Sequence, residues 1–128
     1  MNATVTIISI WSKWEGLEGK LAGRDQNFQY DVQVPYEGDN IETQLDAILE
    51  GAFVMTNMDD RPNGNRCCST TSGDIMVVNG IHFLVSPCGF NRLTVEESEA
   101  IQKLSSRDTS FGLDWMRRKG LLTPAAVN

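Results

Sequence analysis

The chain has 128 residues, 41% of them hydrophobic, and only four prolines; that suits one domain with its own core and excludes a disordered chain. The net charge of −6 is concentrated in Asp25, Asp31, Glu37, Asp39, Glu42, Asp46, Glu50, Asp59 and Asp60, an interval between Arg24 and Arg61 with no Lys or Arg, while the remainder is slightly basic. An acidic surface repels phosphates and lipid headgroups, so direct binding to nucleic acid or a membrane is disfavoured and a basic protein partner is favoured.

Thr4 to Trp11 reads as a strand, with Val5, Ile7, Ile8 and Ile10 β-branched. Thr4 and Thr6 stand where a secretory signal would carry basic residues and then a long apolar block. No apolar run reaches the roughly 18–20 residues that cross a bilayer. The expected location is cytoplasmic. Glycines 16, 19 and 23 in "SKWEGLEGKLAGRDQ" argue for turns or a loose hairpin arm. "FQYDVQVPY" alternates, with Phe28, Tyr30, Val32 and Val34 on one face, and Pro35 ends this strand or marks it as an edge.

"DNIETQLDAILEGAFVMTN" is the main helix. Asp39 is expected to cap it, with Glu42 completing a capping box. Ile41, Leu45, Ile48, Leu49, Ala52 and Phe53 recur at helical spacing, and Gly51 allows close packing against a sheet. "TNMDDRPNGNRCCSTTSGD" is a long polar connection; such a segment is functional or packs as an Ω-shaped loop. In "GDIMVVNGIHFLVSP" two strands flank Asn79-Gly80, a pair suited to a type I′ turn. Ile81, Phe83 and Val85 share one face of the return strand, His82 and Leu84 the other. "CGFNRL" is expected to continue that strand past a kink at Pro87. Thr94 caps a helix, with Glu97 three residues on. A last helix, "SFGLDWMRRKG", ends in Arg117, Arg118 and Lys119, with Gly120 at the left-handed cap. The reading is one α+β domain: an antiparallel sheet with one main helix packed on it (residues 1–93) and a C-terminal helical extension (residues 94–128).

The three cysteines, Cys67, Cys68 and Cys88, are odd in number and read as reduced thiols. With the lone His82 they supply four ligand-type side chains but no C-x-x-C spacing, so no metal and no cofactor is expected. A Cys-His nucleophile pair would need His82 and Cys88 on the same side of the strand, and no third orienting group is evident. Asp59 and Asp60 with Asp74 suit a hard cation, although such residues more often cap turns. Arg61 and Arg66 flank a Gly/Asn loop that can hold an anion; the plainer alternative pins Arg66 to Asp74 or a loop carbonyl. Trp14, among glycines, and Trp115, beside the arginines, suit interface anchors.

"GNRCCSTTSGDIMVVNGIHFLVSPCGFNRL" and the opening "VTIISIWSKWEGLEGKLAG" together resemble the YodL-like small proteins of phages, plasmids and actinobacteria. The matching positions are Gly64, Arg66, Ser69, Gly73, Asp74, Gly80, Gly89 and Phe90, within a likeness that covers about residues 4 to 93. The chain departs from that pattern at Cys67-Cys68, where a small polar residue is usual, and at Cys88. The resemblance implies an accessory protein of a mobile element acting against host defence; it does not imply an enzyme activity. The expected function is a non-enzymatic interaction module, anti-CRISPR-like, whose acidic face binds a host or phage protein that itself holds nucleic acid. Asp39, Asp46, Glu50, Asp59, Asp60 and Trp14 are the expected partner contacts. The alternative is a small-ligand protein or enzyme whose 57–74 loop closes over a nucleotide or anion through Arg61, Arg66 and Asp74.

Overall fold

Why the apolar strand residues need cover on both sides of a sheet is evident from their order. The computed structural model describes residues 1–10, 28–57, 70–87, 89–104 and 106–122. Strands β1 (Asn2–Ser9) and β2 (Phe28–Pro35) precede a 3₁₀ turn (Ile41–Gln44) and helix α1 (Leu45–Thr56). Strands β3 (Ile75–Val78), β4 (Ile81–Ser86) and β5 (Gly89–Leu93) follow, then helices α2 (Val95–Gln102), α3 (Ser106–Ser110) and α4 (Leu113–Arg118). The strands form one sheet in the order β2-β1-β3-β4-β5, every neighbouring pair antiparallel. Because β2 and β3 both run against β1, they are parallel to each other, and α1 lies in the crossover between them.

Successive residues of a strand point to opposite faces. In β1, Val5 and Ile7 point to one face and Ile8 to the other, and all three are buried. The first face carries Val5, Ile7, Tyr30, Val32, Val34, Met76, Val78, Phe83 and Val85 and is packed by Ile48, Leu49 and Ala52 of α1. The second carries Ile8, Ile75, Leu84 and Leu93 and is packed by Ile101, Leu113, Met116 and Leu122. The α+β class holds, and the C-terminal helices form the second covering layer of the same sheet. The all-apolar sequence of β3, third in the order, has this two-sided cover as its cause. No helix among the described residues is long and apolar enough to cross a membrane.

Several local expectations hold. In β2, Tyr30, Val32 and Val34 are buried while Gln29, Asp31 and Gln33 are exposed, and the strand lies at the sheet edge and stops at Pro35. Asn79 and Gly80 both have positive φ, 53° and 76°, as a type I′ turn requires. Thr94 and Glu97 form the full capping box of α2: each backbone N–H donates to the other's side chain at 3.1 Å.

Three others are corrected. Asp39 does not cap the main helix: Asn40 caps the preceding 3₁₀ turn, its Oδ1 accepting from the Glu42 N–H at 3.0 Å, and α1 starts after Gln44 with no side-chain cap. The stretch after Pro87 does not continue β4. It turns back as β5, pairing Val85 with Phe90 and Leu84 with Asn91. The last helix is shorter than expected: α4 spans Leu113–Arg118, Ser110 ends the separate helix α3, and Gly112, with φ of 99°, lies between them.

α1 approaches the sheet closely at Gly51, where an added Cβ would lie 2.8 Å from Val34 Cγ1. Alanine would raise helix propensity by about 1 kcal/mol, but β-branched Val34 cannot rotate away freely and overpacking costs about 1–3 kcal/mol. Gly51→Ala is therefore expected to lower stability in urea titrations. A double-mutant cycle with Val34→Ala should show favourable coupling; a stabilised Gly51→Ala would contradict the close approach.

On the second face, Glu97 also receives Arg117 of α4, with Nε 2.8 Å from Oε2 and Nη2 3.2 Å from Oε1. The Arg117 hydrogen bond, opposed by burial and aided by the Thr94 amide, holds the Glu97 carboxyl below its ordinary value of 4.5. A depressed acid contributes stability that is complete above the unfolded value and lost as pH falls through the folded one. Thermal melts from pH 6 downward should show Glu97→Gln with a flatter pH dependence below about pH 5 and a loss of about 1 kcal/mol at neutral pH.

Candidate functional site

The polar residues nearest to chemistry lie where the long segment 58–69 leaves and rejoins the described fold. Thr56 and Asn57 end α1. Thr56 Oγ1 lies 2.6 Å from Thr70 Oγ1, both groups buried, and Asn57 Nδ2 donates to the Phe53 and Thr70 carbonyls at 2.7 and 3.3 Å. The two ends of the segment are thus pinned side by side. Immediately after it, residues 71–74 make a tight turn. The Asp74 N–H donates to the Thr71 carbonyl at 3.1 Å, and the Thr71 N–H donates back to Asp74 Oδ2 at 3.0 Å.

Asp74 is 1% exposed. Its other oxygen, Oδ1, accepts the Ile10 N–H at 2.9 Å, so the carboxylate ties the end of β1 to the turn. The backbone does the same toward β4: the Gly73 N–H donates to the Val85 carbonyl at 2.8 Å, and the Val85 N–H donates to the Asp74 carbonyl at 2.9 Å. A ligand reaching Asp74 would have to take its oxygens from two backbone amides, of which the Ile10 amide is buried and costly to leave unsatisfied. In this arrangement Asp74 is a structural anchor. Arg61 and Arg66, expected beside it, lie outside the described residues, as do Asp59, Asp60, Trp14 and all three cysteines.

His82 points to the second face of the sheet, where Nδ1 lies 2.7 Å from Ser98 Oγ of α2. Gln102 Nε2 donates to the same Ser98 oxygen at 3.3 Å. The Ser98 hydroxyl thus links the His82 ring and the Gln102 amide in one side-chain network. The pair has the composition of a serine-histidine dyad, yet Ser98 is 0% exposed and offers no approach for a substrate. It joins α2 to β4 instead. Among the described residues, no cluster of His, Cys, Asp or Glu is arranged to hold a metal ion.

The exposed surface carries the remaining candidates. Asp39, Glu42, Asp46 and Glu50 are all exposed, and Asp46 and Glu50 stand four apart on one side of α1. Among the described residues no cation lies within ion-pair distance of any of the four. Val54, four residues beyond Glu50, extends the same stripe and is 52% exposed. The sequence reading passed over Val54; its signal was an apolar residue in step with the charged stripe instead of the buried one. On the opposite layer Phe111 is equally exposed and packs on Trp115, centroids 4.7 Å apart, with Lys119 Nζ 5.9 Å from the Trp115 centroid. Trp115 was expected as an interface anchor; Phe111, its ring partner, was not.

Asp46 and Glu50 thus share one side of α1, the exposed Asp39 and Glu42 lie on the segment that leads into it, and Asp74 lies apart from them in the interior. No family model, no curated protein and no solved structure matches the chain.

Proposed function

We propose that the protein is a non-enzymatic interaction module of a phage or other mobile element. It binds a basic host protein through the ridge formed by Asp39, Glu42, Asp46 and Glu50, and acts as a counter-defence factor of the anti-CRISPR kind. The observation that carries this reading is the ridge itself: exposed Glu42 on the 3₁₀ turn and exposed Asp46 and Glu50 on α1, with exposed Asp39 just before them and no described cation within ion-pair distance of any of the four. A row of fixed negative charge attracts the surface that a nucleic-acid-binding protein keeps for phosphates, and it speeds encounter as well as favouring register. The interior polar groups support a binding role, since Asp74 and Ser98 are both taken up in holding the fold. The mobile-element setting rests on the resemblance of residues 4 to 93 to YodL-like proteins.

The test is capture from host lysate on two baits in parallel, the native chain and Asp39→Lys/Asp46→Lys/Glu50→Lys, with bound proteins identified by mass spectrometry. All three positions are exposed, so the variant is expected to fold. A basic nucleic-acid-binding protein should be retained by the native bait, displaced by duplex DNA and lost from the variant. Identical sets on both baits would overturn the reading.

A further inference from the structure

Helix α2 carries an open groove on the side turned away from the sheet. The cavity, of about 430 Å³, has a floor of Ala100, Leu104, Leu121 and Leu122. Leu122 is buried and the other three are half-buried. Its rim is charged: Glu96, Glu99 and Lys103 are all exposed. Among the described residues none of these three has an ion-pair partner, whereas Glu97, the other carboxylate of α2, is held by Arg117. An apolar centre with a charged, unpaired rim is the makeup of a protein contact surface.

We infer that this groove receives α2 of a second copy of the chain, antiparallel about a two-fold axis at Ala100. The charges on the rim select this occupant. Lys103 follows Glu96 by seven residues, and at about 3.6 residues per turn the two lie within about 20° of each other around the helix. They share one flank, with the negative group toward the start of α2 and the positive group at its end. A two-fold axis in the plane of contact, perpendicular to α2, reverses the helix and keeps each flank on its own side. It sets Glu96, four residues before Ala100, level with Lys103 of the partner subunit, and Lys103 level with the partner subunit's Glu96. Two ion pairs form together, related by symmetry. A parallel pair would bring like charges level with each other instead. Ala100 faces its own copy, and a methyl group at the crossing lets the helices approach to the short end of the usual roughly 8–10 Å. Closing the groove takes the half-buried Leu104 and Leu121 out of water, which favours association. Two such short helices bury less than the about 1,200 Å² of a standard stable interface, so the dimer is a weak one. The acidic ridge plays no part in this contact: α2 covers the second face of the sheet and α1 the first, so the ridges of both copies stay outside it.

Sedimentation equilibrium of the full chain, from micromolar to millimolar concentration, is the test. The native chain should pass from monomer to dimer. Glu96→Lys and Lys103→Glu each set like charges against one another in a homodimer, and each should associate at least roughly tenfold more weakly. Mixed in equal amounts, the two variants should associate again, because the two lysine positions of one chain then face two carboxylates on the other. Both positions are exposed, and circular dichroism checks that each variant keeps its fold. Damage confined to α2 would not be repaired by mixing. A native chain that stays monomeric at millimolar concentration would overturn the inference and leave the groove to a different partner. Association that both reversals leave unchanged, or that mixing does not restore, would overturn the antiparallel pairing through α2.

Discussion

Asp74→Ala is expected to lower the unfolding free energy by about 2–4 kcal/mol, measured by urea titration, because it strands a buried donor and a part-buried one in one stroke. The Asp74 carboxylate accepts the Ile10 N–H on one oxygen and the Thr71 N–H on the other, at 2.9 and 3.0 Å. The buried Ile10 amide left without an acceptor costs about 1–3 kcal/mol, the part-buried Thr71 amide costs less because water reaches it, and the removed atoms leave a void besides. Asp74→Asn is the sharper test. It keeps the volume, but one end of the amide is an NH₂ facing a backbone donor, so the loss should still exceed about 1 kcal/mol. Since a domain of this kind holds about 5–15 kcal/mol in all, the alanine variant should lose a large share of its margin. A near-neutral Asp74→Ala would mean that the carboxylate is free for a ligand, and the small-ligand alternative would regain its footing.

Gly73→Ala is expected to be comparably severe, about 3–5 kcal/mol, from two causes that add. The residue has φ of +99°, where a side chain is strained by about 1–3 kcal/mol. The new Cβ would also lie 2.6 Å from Thr109 Oγ1 and 3.0 Å from the Ser110 nitrogen and the Thr109 carbonyl carbon of α3. Two of those three atoms are backbone, so relief requires α3 to move away, and overpacking of that kind costs about 1–3 kcal/mol. Hydrogen exchange gives the diagnostic pattern. Amides of α3 and α4 should lose protection ahead of β1 and β2, because the clash pushes the second layer off the sheet. Uniform loss across all elements, or none, would contradict the contact between the 71–74 turn and α3.

These two residues show what the sequence disclosed and what it withheld. The β3–β4 hairpin was legible because Asn79-Gly80 is a local signal and the apolar runs around it are unambiguous. The alternation in β2 and the Thr94 capping box were legible for the same reason: the physics spans only a few residues. The partners of Asp74 were not. Its contact with Ile10 spans 64 positions, and no local pattern encodes it. Gly73 looked like a turn residue, which it is, but its second constraint comes from Thr109, 36 residues further on. β5 was missed because Pro87 and Gly89 serve equally as a kink or as a reversal; only the pairing of Phe90 with Val85 distinguishes them. The acidic residues of α1 were readable as composition, but which of them stay exposed depends on the face that the helix buries against the sheet.

The account turns on whether charge on α1 selects the partner. The most direct measurement is the affinity for the captured protein as a function of salt, for the native chain and for Asp39→Lys/Asp46→Lys/Glu50→Lys. Exposed charges act through a screened potential, so native binding should weaken steeply with ionic strength. The variant should bind at least roughly tenfold more weakly at low salt, with a shallower slope. Affinity that is indifferent to salt and survives the triple reversal would contradict the account.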